Sequence, residues 1–216
     1  MDYLRINVGC GRKLLTGWRN FDNSLSLRLA SVPMLPHVLR SVGFLNEEQM
    51  GYVKFARANP VEYGDVTKGL PIVTGSADIL YSSHMIGYLD QQDALLFLKE
   101  ARRVLRHGGV LRLAAPDLQM RVHQYLERND ADAFIESTIL TSPRPRTFAK
   151  RLVALFLGPR NHQWMYDGRS LSRLLESQGF LCPQIRKAGE TQISNFQPLD
   201  LFEKADESVY VEAVNP

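Results

Sequence analysis

A glycine turn followed almost at once by an acidic residue constrains this chain more than any other feature of its sequence. An apolar, strand-like run, Leu4–Val8, leads into the turn Gly9-Cys10-Gly11. A second strand-like run, Trp18–Phe21, ends at Asp22, only thirteen positions after Gly9 (22 − 9). The crossover between two parallel strands normally takes about a dozen residues or more, so this connection is too short for an ordinary crossover helix.

Composition and charge are those of an ordinary globular protein. Of the 216 residues 44% are hydrophobic, and the net charge is +3, which argues against a nucleic-acid partner and suits a small anionic ligand. Neither the two cysteines, Cys10 and Cys182, nor the five histidines have a metal-ligand spacing, so we expect no metal site and no disulfide. No signal-like segment opens the sequence, and no apolar run reaches the roughly 18 residues that span a bilayer. We therefore expect a cytoplasmic protein.

Strand and helix patterns alternate along the rest of the chain. This order predicts an α/β fold with a doubly wound, mostly parallel, seven-stranded sheet. Helices are predicted from a cap at Asp90 through Arg106-His107, and from a cap at Ser170 to a break at Gly179. The last two strands have no clear helix between them, which predicts an antiparallel edge. Further strands are predicted at Val61–Tyr63, Ala77–Ser83, Val110–Asp117, Pro183–Gly189 and Ser208–Val214.

Two helical insertions interrupt this alternation, at Ser24–Pro60 and Leu118–Asn161. We expect residues 1–216 to form one domain, with both insertions at the carboxyl ends of strands. Sheets of this kind bind their ligands at that edge, so the insertions are predicted to select the substrate.

The glycine turn lacks the marks of two common phosphate sites. No Gly-x-x-x-x-Gly-Lys-Ser/Thr sequence is present, so a P-loop is excluded. A dinucleotide site needs a small residue where Leu14 stands and an acid about twenty residues on, which disfavours an NAD-dependent reductase. A ligand with a ribose but no phosphate remains, and Asp22 could accept hydrogen bonds from both ribose hydroxyls. The turn alone is weak evidence, because glycines also serve purely steric needs.

Seven segments, in order, resemble the class I S-adenosylmethionine-dependent methyltransferases. The resemblance is closest to small methyltransferase-like proteins often associated with glycan or cell-surface biosynthesis, and it covers almost the whole chain. The segments are VGCG (8–11), GWRNFD (17–22), YGDV (63–66), LPIVTGSADILYSSHMI (70–86), EARRVLRHGGVLRLAAPD (100–117), HQWMYDGRSLSRLLESQGF (162–180) and ESVYVEAVNP (207–216).

The resemblance implies S-adenosyl-L-methionine as cofactor, with S-adenosyl-L-homocysteine as product, and a set of binding residues. They are Gly9, Cys10 and Gly11 at the methionine part, Asp22 at the ribose, Asp65 and Val66 at the adenine, and Ser82 and Ser83 beside the sulfonium and the methionyl carboxylate. Structural roles compete with some of these. Asp65 could be a turn aspartate, the two serines a strand end, and Cys10 a small buried apolar residue.

One stretch departs from the family pattern. Many relatives carry Glu-His-Leu after the fourth strand, where this chain has Gly87-Tyr88-Leu89. If that histidine acts in relatives, this chain has lost the step or supplies the group from elsewhere. A non-catalytic, cofactor-binding scaffold is therefore an alternative to a methyltransferase.

The acceptor side offers four candidate catalytic residues: His84, Asp117, His162 and Tyr166. A base is needed only if the acceptor must lose a proton, as a hydroxyl does. His84 could equally cap a strand end, and Asp117 could belong to a turn. The aromatic and polar mix of His162–Asp167 suits a small-molecule or glycan acceptor, methylated on oxygen or nitrogen.

A basic apolar segment, Pro143–Arg160, gives the sequence's hint about substrate charge. It could contact a phosphate-bearing or lipid-linked acceptor at a membrane surface. We favour a lid helix with a solvated basic rim, and at most peripheral membrane contact, because most amphipathic helices cover a core. The sequence does not predict an oligomeric state.

Overall fold

Seven strands form one sheet in the part of the chain that the computed structural model describes, residues 3–141 and 161–216. Their spatial order is β3-β2-β1-β4-β5-β7-β6. The five strands from β1 to β5 run parallel, whereas β7 pairs antiparallel with both β5 and the edge strand β6. The strands are β1 (Arg5–Val8), β2 (Arg19–Asp22), β3 (Glu62–Tyr63), β4 (Ala77–Ser83), β5 (Leu105–Pro116), β6 (Leu181–Arg186) and β7 (Ser208–Val214). The predicted fold class and its antiparallel edge are confirmed.

Helices fill the predicted insertions as far as the structure describes them. Those of residues 3–141 and 161–216 are α1 (Leu25–Ala30), α2 (Leu35–Ser41), α3 (Glu47–Ala58), α4 (Gln91–Val104), α5 (Leu118–Arg128), α6 (Ala131–Thr138) and α7 (Gly168–Ser177), with a 3₁₀ turn at Ile86–Tyr88. None of these helices has the length and apolar character needed to cross a bilayer. The basic segment Pro143–Arg160 lies outside the described residues.

Two predicted helix boundaries were wrong, for reasons of local hydrogen bonding. Helix α4 ends at Val104, because Leu105 already pairs with Ala77 in the sheet, so Arg106 and His107 belong to β5 and not to a last helical turn. Asn215 satisfies the freed carbonyls, since its Nδ2 donates to the Leu105 carbonyl oxygen over 2.8 Å.

The other wrong boundary is the start of α7. Asp167, not Ser170, is its N-cap, and the two residues form a reciprocal capping box. The Asp167 side chain accepts from the Ser170 amide over 2.6 Å, while the Ser170 hydroxyl accepts from the Asp167 amide over 3.0 Å. Gly179 follows the helix at φ +81°, as predicted for its end.

The two faces of the sheet are covered in different ways. Helices α4 and α7 cover one face in the usual manner. On the other face no helix joins β1 to β2, and a segment near the end of the chain takes that place. Its buried apolar residues pack on the sheet beside the glycine turn: Ile193, Leu199 and Leu201 lie against Trp18, Ile79 and Tyr81.

A buried ion pair fixes the start of this covering segment, residues 187–207. Glu212 on β7 is fully buried and accepts from Arg112 Nη1 on β5 over 2.6 Å. The same carboxylate accepts from the Thr191 hydroxyl over 2.5 Å and from the Gln192 amide over 2.8 Å. Arg112 belongs to the sheet, whereas Thr191 and Gln192 belong to the segment. Their shared acceptor, the Glu212 carboxylate, therefore ties the first turn of the segment to the sheet.

Candidate active site

The ends of four parallel strands meet around one cavity. Val8, Asp22, Tyr63 and Ser83 close β1, β2, β3 and β4 along the same edge of the sheet. A cavity of about 350 Å³ lies there, lined by Gly9, Asn23, Gly64, Val66, Met85, Tyr88, Leu89, Asp90, Asp93 and Gln163. Most of these residues come from the turns after the four strands, joined by Asp93 of α4 and Gln163. This edge is where sheets of this topology bind ligands.

The glycine turn lets two strand ends approach each other. Gly9 and Gly11 have φ values of +66° and +52°, which L side chains rarely adopt. A Cβ on Gly9 would also lie 2.7 Å from the Cβ of Met85, which follows β4. The turn is tied to β2 as well, because the Cys10 amide donates to the Phe21 carbonyl oxygen over 3.1 Å.

Asp22 binds the glycine turn directly. Its Oδ2 accepts from the Gly11 amide over 3.1 Å, and its Oδ1 accepts from the Ser24 amide over 2.8 Å. A carboxylate has about four lone-pair sites, so these two bonds leave acceptor capacity for a ligand. The half-buried side chain thus lies between the glycine turn and the first insertion. Its contact with a ribose stays a prediction.

Helix α3 brings a further residue to this turn that sequence reasoning missed. The Tyr52 hydroxyl donates to the Gly11 carbonyl oxygen over 3.2 Å. Burial, and then the nearby Asp22 carboxylate, raise the pKa of Tyr52, so its phenol stays protonated and remains a donor. Nothing in the local sequence distinguishes Tyr52 from other aromatic residues of a helix, and only the packing of the insertion reveals it.

Asp65 is engaged by its own turn. Its Oδ1 accepts from the Thr67 amide and hydroxyl over 3.0 and 2.7 Å, and its Oδ2 accepts from Lys68 Nζ over 2.7 Å. Burial raises the pKa of Asp65, but the hydrogen bonds from Lys68 and Thr67 outweigh it and hold the pKa below its usual range. These contacts are those of a turn aspartate; a bond to an adenine amino group stays a prediction. Val66, next to it, lines the cavity.

The two serines at the end of β4 differ in their surroundings. Ser82 is fully buried, and its Oγ has no partner among residues 3–141 and 161–216. Since a buried hydroxyl without a hydrogen bond is costly, Ser82 has an unused donor and acceptor beside β1. Ser83 is only partly buried, and its hydroxyl donates to Glu203 Oε1 over 2.9 Å.

A second, smaller cavity of about 70 Å³ lies on the other side of the glycine turn. Its lining residues are Asn7, Gly9, Cys10, Lys13, Leu15, Tyr81, Ser83 and Glu203, so Gly9 borders both cavities. Burial raises the pKa of the Cys10 thiol to about 12, which keeps it neutral and fits a small buried residue without nucleophilic chemistry. Glu203, from the covering segment 187–207, was not predicted.

The His84 side chain contacts the start of β7 and lines neither of the two cavities. Its Nε2 lies 2.8 Å from the Ser208 hydroxyl oxygen, and its amide donates to the Ala114 carbonyl oxygen. The backbone takes φ +55°, an uncommon value for a non-glycine residue. Burial and, secondarily, Lys204 lower the pKa of His84 to about 4, so the imidazole is neutral at pH 7 and a weak base. A catalytic role for His84 stays a prediction.

His162 packs against the stretch that departs from the family pattern. Its ring centroid lies 4.7 Å from that of Tyr88, and a Cβ on Gly87 would lie 3.3 Å from its Cδ2. The Gly87 carbonyl oxygen also accepts from the Gln163 amide over 2.8 Å. A histidine is therefore present at this turn, although it comes from a different part of the chain.

The protonation of His162 follows from its hydrogen bond. Its Nδ1 lies 2.7 Å from the Thr138 carbonyl oxygen, which can only accept, so Nδ1 carries the hydrogen and Nε2 is the basic nitrogen. Burial lowers the pKa of His162, although the bond to Thr138 acts in the opposite direction. The imidazole is thus a neutral, oriented acceptor of protons.

Asp117 and Tyr166 lie next to each other, and both have roles in holding the fold together. Their backbones form a parallel bridge, and Asp117 caps α5 by accepting from the Gln119 amide over 2.9 Å. Tyr166 belongs to the main core, and burial raises its pKa to about 12. Both residues have a sufficient structural reason to be where they are, and their use in catalysis stays a prediction.

Comparison with known proteins identifies the family. A family model described as a methyltransferase domain matches residues 6–113, half of the chain. No curated protein sequence matches. A SAM-dependent methyltransferase from Methanosarcina mazei is 15% identical, over 99% of this chain and 92% of its own, with a TM-score of 0.54. A SAM-dependent methyltransferase from Thermotoga maritima, described as a possible histamine N-methyltransferase, is 15% identical over 100% and 83%, with a TM-score of 0.51. At these identities the two structures share the fold.

The site suits the cofactor of that family. Gly9 and Gly11 place no side chains in the turn, and Asp22 offers acceptors beside it. Within the described part of the chain, the buried Ser82 Oγ has no hydrogen-bond partner. Two cavities bordered by Gly9 match a ligand with an extended shape. With the matched domain, the fold and this edge of the sheet in agreement, the chain belongs to the class I S-adenosylmethionine-dependent methyltransferases, and S-adenosylmethionine is its cofactor.

Proposed function

We propose that this chain transfers the methyl group of S-adenosylmethionine to an oxygen or nitrogen atom of a small molecule or a glycan. The proposal includes a cytoplasmic location and one domain over residues 1–216. The contact of His162 with the Gly87-Tyr88 turn carries it, because this contact places a neutral, oriented imidazole against Tyr88, which lines the 350 Å³ cavity.

The binding residues act by orientation. When bound, the cofactor supplies an electrophilic methyl group on a cationic sulfonium, and alignment with the acceptor provides much of the acceleration. We assign Asp22 to the ribose hydroxyls, because two backbone amides already fix its position. Gly9, Cys10 and Gly11 are assigned to the methionine part, and Asp65, Val66, Ser82 and Ser83 keep the roles that the family pattern implies.

The acceptor side is formed by Tyr88, Gln163 and the neighbouring His162. The Thr138 carbonyl holds His162 in the tautomer whose Nε2 is the basic nitrogen, and we assign to Nε2 the proton of an acceptor hydroxyl. An amine acceptor that reacts in its neutral form needs no base at the moment of transfer. His162 is therefore the residue that separates the two acceptor types.

A panel of acceptors tests the proposal. Binding of S-adenosylhomocysteine is measured first, by calorimetry. The protein is then incubated with S-adenosylmethionine and a sugar, a phenol or an amine, and the S-adenosylhomocysteine formed is measured. The His162→Gln variant is compared with His107→Gln, since His107 is exposed and lies at the start of β5, away from the site. Loss of hydroxyl methylation in the first variant alone supports His162 as the base, whereas equal rates would remove it from the mechanism.

A scaffold protein is the second candidate. The observation in its favour is the Gly87-Tyr88 turn, where many relatives have an acid and a histidine. Tight cofactor binding without turnover of any acceptor class would favour it. An NAD-dependent reductase requires nicotinamide-cofactor binding, and a titration with no heat change ends that alternative. Contact with a phosphate-bearing acceptor or a membrane rests on Pro143–Arg160, outside the described residues, and stays a prediction.

A further inference from the structure

The smaller cavity beside the glycine turn contains a carboxylate from the far end of the chain. Glu203 is only 8% exposed, although it belongs to the irregular segment between β6 and β7. Its Oε1 accepts from Lys13 Nζ over 2.8 Å and from the Ser83 hydroxyl over 2.9 Å, while its Oε2 accepts from the Tyr81 hydroxyl over 2.9 Å. Burial raises the pKa of Glu203, but these three donors outweigh it and hold the pKa below its usual range, so the group is a carboxylate at neutral pH.

The position of this carboxylate is fixed by the backbone as well as by the side chain. The Tyr210 hydroxyl donates to the Glu203 carbonyl oxygen over 2.6 Å. Leu199 and Leu201, just before it, are buried against the sheet. Glu203 is thus preorganised. A binding group fixed in this way costs little conformational entropy when the ligand binds, so the affinity is higher.

Its partner Lys13 is held much less firmly. The Lys13 side chain is 65% exposed, against 9% for that of Glu203. Because the ammonium end of this ion pair is open to water, Lys13 can leave Glu203 at little cost. The cavity therefore presents one fixed negative charge and one movable positive charge, both beside the glycine turn.

The other polar side chain at this end of β1 is already committed. Asn7 is 3% exposed, and its Nδ2 donates to Asn20 Oδ1 over 2.9 Å and to the Lys13 carbonyl oxygen over 3.0 Å. Among the residues that line the smaller cavity, Glu203 is the one carboxylate. A cationic ligand group entering there would meet Glu203.

We propose that Glu203 and Lys13 together bind the zwitterionic amino-acid end of the cofactor. The inference rests on the cofactor site assigned above, in which the glycine turn lies under the methionine part. Glu203 accepts hydrogen bonds from the α-ammonium group, and Lys13 turns from Glu203 to the α-carboxylate. Since Gly9 borders both cavities, the amino-acid end lies in the smaller one while the adenosine occupies the larger.

This role explains why a segment so distant in sequence covers the glycine turn. The connection from β1 to β2 is too short for a helix, which leaves that side of the turn open to the chain end. The segment 187–207 closes it with apolar contacts and brings a carboxylate, a negative charge that the short connection lacks. Glu203 is therefore a binding residue for the cofactor and not a catalytic one.

Two ligands that differ only at the amino-acid end test the inference. Calorimetry compares S-adenosylhomocysteine with 5′-methylthioadenosine, which keeps the adenosine and a thioether sulfur but has no amino or carboxyl group. For the unaltered chain we expect at least about tenfold tighter binding of S-adenosylhomocysteine, because charge-assisted hydrogen bonds are strong. Glu203→Gln should lose most of that preference, whereas its affinity for 5′-methylthioadenosine should change less than about twofold.

Two further variants keep the outcomes distinct. Lys13→Met leaves the buried Glu203 in place and should weaken the binding of S-adenosylhomocysteine but not that of 5′-methylthioadenosine. Thermal unfolding shows whether Glu203→Gln folds, and if it does not, Lys13→Met tests the proposal in its place. Asp22→Ala, at the ribose, should weaken both ligands. Equal loss of both ligands in Glu203→Gln, or no loss of either, overturns the role of Glu203. If the unaltered chain binds both ligands with equal affinity, the role of Glu203 is overturned and the cofactor site is not. If it binds neither ligand, both the role of Glu203 and the cofactor site are overturned.

Discussion

The backbone of Gly87 leaves the space that the imidazole of His162 occupies. A Cβ at position 87 would lie 3.3 Å from His162 Cδ2 and 3.4 Å from the Trp164 carbonyl oxygen, tighter than most Cβ contacts. The glycine that departs from the family pattern and the histidine near the chain end are therefore one arrangement. The two residues stand apart in the sequence, and their contact gives both one structural reason.

Gly87→Ala should disturb this arrangement. The added methyl group requires the His162 ring to shift by a few tenths of an ångström against its bond with Thr138, and overpacking of this kind costs about 1–3 kcal/mol of unfolding free energy. Urea unfolding measures that cost, and the NMR signals of the His162 ring report whether its tautomer changes. Wild-type stability together with an unchanged ring would contradict the packing described here.

The stability of the protein should fall as the pH drops from about 6.5 towards 4. Burial lowers the pKa of His84 to about 4, so over this range the unfolded chain binds a proton that the folded chain does not. The contribution of His84 is therefore fully present above its unfolded pKa and is lost as the pH falls. His162, with a lowered pKa, adds to the effect in the same direction.

Thermal unfolding between pH 5 and 8 checks this, with His84→Gln as the variant and the exposed His107→Gln as its control. The first should flatten the pH dependence, and the second should leave it unchanged. Because the carboxylates titrate mostly below this window, their protonation does not obscure the result. A slope that His84→Gln leaves intact would mean that His84 is accessible to protons in the folded state.

The buried pair Arg112–Glu212 should be far more costly to break than an exposed pair. Arg112→Met leaves the Glu212 carboxylate buried with fewer donors, which we expect to lower the unfolding free energy by about 3 kcal/mol. Arg106→Met is the matched control, because its pair with Asp78 is half exposed and should be worth less than about 1 kcal/mol. Similar losses in urea unfolding for the two variants would contradict the account of how the segment 187–207 is tied down.

Local patterns in the sequence were enough to predict much of the fold. The apolar run Ala77–Ser83 is the strand β4 with the same bounds, and Asp90 caps α4 as expected. Both depend on neighbours a few residues away. The wrong end of α4 depended instead on Asn215, whose side chain binds the carbonyls near Leu105 from more than a hundred residues further along the chain.

The candidate site likewise combines contacts that the local sequence predicts with contacts between distant parts of the chain. Gly9, Gly11 and Asp22 lie in one short segment, and their contacts follow from that turn. Glu203 reaches the turn only because the segment 187–207 replaces a helix on that face, which no local pattern announces. The same holds for the contact of His162 with Gly87, since the two residues lie in different elements.

Binding of S-adenosylhomocysteine to the unaltered chain and to Asp22→Ala tests the central claim most directly. The variant removes the acceptor beside the glycine turn, and the loss of hydrogen bonds to a charged group should raise the dissociation constant by about ten- to a hundredfold. Asp206→Ala, at an exposed position in the covering segment, serves as the control and should bind normally. Calorimetry that finds the same dissociation constant for all three proteins would contradict the assignment of this edge of the sheet as the cofactor site.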